Sequence, residues 1–133
     1  MEDKININSL IVKLKEIGDY IVKRVEELSQ KSNLKESEKN ELKKKKDFIK
    51  SINDIGFRLL EQTRLGNKDN VFYMLLRCFH SNEEKFPNEL VEAFRPENEK
   101  YFKTLIFSFL APILGKGKKQ EVKNEKYNIN NNF

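Results

Sequence analysis

The stretch SLIVKLKEIGDYIVKRVEELSQ, residues 9–30, decides the fold class. Leu10, Leu14, Ile17, Ile21, Val25 and Leu28 recur at steps of three and four. At about 100° per residue they fall on one helix face, with Ile11 and Val22 on its flank. Lys13, Glu16, Lys23 and Glu27 take the opposite side. Asn8 or Ser9 is the expected N-cap, supplying a side-chain oxygen to the first-turn N–H groups.

The same period continues down the chain, and no segment sustains the alternation of a strand. After a polar break at Ser29 to Asn33, a second helix is expected from about Ser37 to Leu65, with Ile49, Ile52, Ile55, Leu59 and Leu60 inward and Gly66-Asn67 as its stop. A third starts at Asn67, as its cap, and turns Val71, Phe72, Leu75, Cys78 and Phe79 inward. Pro87 opens a short fourth carrying Leu90, Val91 and Phe94. The fifth follows Pro96, from about Glu97 to Leu114, and is apolar on most of its circumference, which marks a central helix. Gly115 and Gly117 end it. The expectation is an all-α protein: one bundle of about five helices over residues 1–115, and a flexible basic tail over 116–133 that lacks any apolar period.

Composition narrows the function. A chain of 133 residues suits one core. One Cys rules out an internal disulfide and a thiolate zinc site, and one His beside it leaves little for a metal centre or a nucleophile–base pair. Five Gly without a Gly-rich loop argue against a phosphate-cradling nucleotide site. The acidic start Met1-Glu2-Asp3-Lys4 does not resemble a signal peptide, and the most apolar stretch, Leu105 to Leu114, is half the length of a span. A cytoplasmic binding or assembly protein is expected, with no enzyme activity and no cofactor.

The net charge of +5 is unevenly spread. Residues 34–50 carry seven basic against four acidic groups, and residues 116–133 five against two, while the rest is near neutral. Lys39, Lys43, Lys46 and Lys50 lie within about 60° of each other around a helix axis. Arg64 falls on the same line further down. Such a row can follow a phosphate backbone, or it can be an ordinary solvated face softened by Glu41 and Asp47. Lys45 falls on the side of Ile52 and Leu59, so the first turns of this helix are expected to project beyond the core.

Arg77-Cys78-Phe79-His80 is where Arg, Cys and His meet. Two residues between Arg77 and His80 are too few for the spacing in helical ribonucleases of the HEPN type. Cys78 shares a face with Val71 and Leu75 and reads as core. His80, near a helix C-terminus, is expected to interact with the last carbonyls. Tyr73, Arg77 and His80 make one polar stripe.

Four segments carry a family resemblance: FRLLEQTRLGN (57–67), FYMLLRCF (72–79), FPNEL (86–90) and FSFLAPILG (107–115). This stretch resembles the C-terminal helical region of the large subunits of type I-B CRISPR Cascade complexes, a region that can also be made from an internal start as a free small subunit. The length from Met1 suits that product. The resemblance implies a non-catalytic subunit, bound to the backbone and large subunits and to further copies of itself. It would hold CRISPR RNA–target DNA and the displaced strand without sequence specificity, and bind neither membrane nor small-molecule substrate. It carries over to Arg58, Arg64, Asn67 and Arg77; the lysine row lies outside it and rests on charge spacing alone. Glu83-Glu84 and Glu97–Glu99 are expected to meet basic neighbours. The low net charge predicts weak, salt-sensitive binding by the isolated chain. A helical adaptor that docks a protein without nucleic acid is the alternative, and a helical toxin or ribonuclease a third.

Overall fold

A computed structural model describes residues 6–115. The tail expected over 116–133 lies outside them. The described residues contain helices and no strand.

The first helix, α1 (Ile7–Gln30), starts one turn earlier than its apolar period. Asn6 is the cap, not Asn8 or Ser9: its Oδ1 accepts from the N–H groups of Asn8 at 2.9 Å and Ser9 at 3.3 Å. Those two residues are thereby the recipients of the cap. The predicted stripe is buried at Leu10, Leu14, Ile21, Val22, Val25 and Leu28.

The expected long second helix is two helices, α2 (Glu36–Asp54) and α3 (Gly56–Arg64). Between them Ile55 sits at φ −107°, ψ 10°, off the helical values. The break falls where Gly56 lets another helix come close: a Cβ there would lie 2.9 Å from Leu114 Cδ2. Periodicity survives such a bend, because the apolar face is inward on both sides of it. α3 ends on Gly66 at φ 77°, with Gly66 N–H bonded to Thr63 O and Asn67 N–H to Gln62 O, a Schellman stop.

Helix α4 (Lys68–Ser81) has Asn67 at its N-cap position, but the side chain does not cap. It donates instead to Gln62 Oε1 at 2.8 Å. Pro87 precedes α5 (Asn88–Ala93), which buries Leu90 and Ala93 and leaves Val91 42% exposed. Pro96–Tyr101 form a 3-10 turn, so the expected fifth helix becomes α-helical only at α6, residues 102–115.

α6 is central, as its all-round apolar character implied: Phe102, Leu105, Ile106, Phe109, Leu110 and Ile113 are buried. It crosses α1 where Gly18 has no side chain, and a Cβ there would stand 2.5 Å from Phe109 O. Asn53 Nδ2, at the end of α2, donates to Ile49 O and reaches Ile113 O at 3.4 Å. A chain of phenylalanine rings joins the layers. Phe79 touches Phe48, Phe86 and Phe109, and Phe72 touches Phe86 and Phe94, which reaches Phe102.

The first turns of α2 do not project. They lie on α1. Arg24 clasps Glu41 with two N–H donors, Nε to Oε2 at 2.7 Å and Nη2 to Oε1 at 2.9 Å. Lys45 is drawn into the same seam, its side chain 12% exposed, with Glu41 at 3.7 Å, Glu84 at 3.5 Å and the Tyr20 ring 5.9 Å from its ammonium. Paired charge let a lysine lie on the core side, which apolar periodicity alone could not foresee.

Candidate nucleic-acid interface

Every candidate side chain, Lys39, Lys43, Lys46, Lys50, Arg58, Arg64, Asn67 and Arg77, is exposed. They are not equivalent. Lys43 is engaged by Asp47 at 2.9 Å and Lys50 by Asp54 at 3.0 Å, each one turn on. Exposed pairs of this kind are worth little to stability, but they neutralise two of the four lysines locally. Arg64 approaches Glu61 at 3.9 Å and stands on α3, beyond the break at Ile55. Asn67 is spent on Gln62, which also accepts from Asn70 Nδ2 at 2.8 Å.

Among the described residues, Lys39, Lys46, Arg58 and Arg77 have no carboxylate within ion-pair reach. Lys39 and Lys46 stand on the α2 face opposite the buried Phe48 and Ile52. Arg58 and Arg77 come from separate helices to one cleft. It holds about 330 Å³ and is lined by Ser51, Asp54 and Ile55 from the α2–α3 bend, Arg58 from α3, and Met74, Arg77, Cys78 and Ser81 from α4. A second hollow of 280 Å³ continues it toward the α3–α4 turn, sharing Arg58 and Met74 and adding Glu61, Gln62, Asn70 and Tyr73. Asp54 belongs both to this cleft and to the pair with Lys50, so the end of the lysine row abuts the arginines.

The sequence placed Tyr73 and Arg77 on one exposed stripe, and both are exposed. It missed the cleft: nothing in the period distinguishes Met74 or Ser51, whose place on its wall depends on how α4 meets the bend. His80 is exposed but not engaged with the last carbonyls. Asn82 Nδ2 takes Cys78 O at 2.8 Å, and the N–H groups of Glu83 and Glu84 take His80 O and Phe79 O. Cys78 is buried in the core, and burial pushes its thiol up, away from the nucleophilic form. Glu83 and Glu84, expected to meet neighbouring subunits, are used within the chain by Lys44 at 2.7 Å and Lys45 at 3.5 Å.

Among the described residues no group of three or more His, Cys, Asp or Glu side chains could hold a metal ion. No described helix is long and apolar enough to cross a membrane. What the fold and site define is a helical bundle with cations gathered along α2 and around the α3–α4 cleft. No protein-family model, curated protein or solved structure matches the chain.

Proposed function

We propose that this protein is a non-catalytic helical subunit of an RNA-guided DNA surveillance complex of the CRISPR Cascade type, holding nucleic-acid backbone. The observation that carries the reading is the set of four cations without a carboxylate partner among the described residues, Lys39, Lys46, Arg58 and Arg77, spread over α2 and both walls of one cleft. Free cations displace counterions from phosphates, whereas cations already held by Asp or Glu have less to gain. Lys43 and Lys50 then add long-range attraction more than direct phosphate binding. In a cell the reading puts the chain in the cytoplasm, beside larger backbone subunits and further copies of itself.

Two measurements test it. The first reverses the four charges to Glu and follows filter binding to nucleic acid over a salt series. Affinity falls, and each cation withdrawn from a phosphate flattens the log–log salt slope by about one. The second is a mild-salt pull-down of the tagged chain, which recovers short repeat-derived RNAs with larger subunits. Unrelated proteins without RNA, or a charge-reversed variant that binds like the wild type, overturn the reading.

One observation favours the adaptor alternative: Phe57, beside Arg58, is 80% exposed. A protein partner covering it would be lost on Phe57→Ser, with nucleic-acid affinity unchanged.

A further inference from the structure

We infer that the α3–α4 cleft takes one unpaired nucleotide, its base against Tyr73 and Met74 and its phosphate between Arg58 and Arg77. This rests on the nucleic-acid reading above and adds to it a pocket for a base, where that reading needs only the backbone to be held.

The lining is the reason. A site that only follows phosphates needs cations, and phosphate contacts alone position a strand without touching its bases. Here the two arginines share the lining with the apolar Ile55, Met74 and Cys78, beside Ser51, Asp54 and Ser81. The continuing hollow adds Tyr73, a residue 62% exposed. Bases stack on aromatic faces whatever their sequence, but only when unpaired, since a base inside a duplex has no free face. Charge points the same way. The carboxylates on the walls are engaged, Asp54 by Lys50 at 3.0 Å and Glu61 by Arg64 at 3.9 Å. The arginines are left to face an anion, and their planar guanidinium groups suit phosphate oxygens and ring stacking alike. The hollow beside Tyr73 holds about 280 Å³, just under the usual range of ligand pockets, room for one base and not for several.

The full chain is titrated into a single-stranded DNA carrying 2-aminopurine, whose fluorescence falls when the base stacks. Parallel arms use the same sequence as RNA and as a blunt DNA duplex. The expected result is quenching with a single strand and none with the duplex. Tyr73→Ala removes the quenching and about tenfold of the single-strand affinity while leaving duplex affinity unchanged. Tyr73→Phe keeps both, which separates stacking from a general loss of fold. Quenching with either sugar supports the pocket, and the tighter arm identifies the strand it serves. Single-strand affinity and quenching that survive Tyr73→Ala overturn the pocket and leave the backbone reading standing. A wild-type chain that binds none of the three nucleic acids overturns both.

Discussion

At the scale of single residues, two glycines do different work although the sequence presents them alike. Gly18 lies at the crossing of α1 and α6, where an added Cβ would meet backbone, Phe109 O at 2.5 Å, with Pro112 Cγ at 3.3 Å behind it. Neither can yield without moving a helix. Gly56 would meet only the tip of the Leu114 side chain, at 2.9 Å, which can turn away. We therefore expect Gly18→Ala to destabilise the bundle by about 1–3 kcal/mol in urea unfolding, the usual cost of overpacking. Gly56→Ala should cost less, under about 1 kcal/mol, since Ala is the better helix former. Equal effects would contradict the crossing geometry. The sequence could not rank the two: both sit inside apolar periods, and what each faces comes from a segment about sixty or ninety residues away.

At the scale of elements, α3 and α4 end with the same hydrogen-bond pattern but different residues. Gly66 occupies the left-handed position after α3, where lacking a Cβ costs nothing. After α4 that position belongs to Glu83, at φ 57°. Its N–H bonds to His80 O, and the N–H of Glu84 bonds to Phe79 O. A side chain there strains the backbone by about 1–2 kcal/mol, and the exposed pair with Lys44 returns only part of that. Glu83→Gly is thus expected to raise stability by about 0.5–1 kcal/mol, read as a higher urea midpoint at unchanged slope. A lower midpoint would mean that the Lys44 ion pair outweighs the strain. The Gly-Asn stop after α3 was readable from composition. The sequence also put a helix end near His80, but did not show that Glu83 would hold the left-handed position, since no glycine marks it.

At the scale of the whole molecule, the α1–α2 seam ties stability to pH. The Arg24 guanidinium holds the Glu41 carboxyl below the ordinary glutamate range, and the Lys31 ammonium with the Lys35 N–H does the same for Glu38. A carboxyl whose folded pKa is depressed stabilises the fold fully above its unfolded value, about 4.3, and loses that contribution as pH falls through the lower folded value. The melting temperature should therefore stay level from neutrality to about pH 5 and fall below it. Glu41→Gln should lower it by a few degrees at neutral pH and make the acid decline shallower. An unchanged acid limb in that variant would show that the seam does not carry the effect.

Much of this molecule was decided by the sequence alone. Apolar residues three and four apart must share a helix face, so the all-α class, the inward stripe of α1 and the central place of α6 followed without coordinates. So did the exposure of the lysine row and of Tyr73 and Arg77, which lie off that face. Tertiary structure decided what depends on a second segment. It bent the expected long helix at Ile55 and laid its first turns on α1 through Arg24 and Lys45. It also sorted eight equivalent-looking polar side chains into paired and unpaired ones, and brought Arg58 and Arg77 to one cleft. Periodicity reports one helix's own faces; a partner's distance is set only when two helices pack.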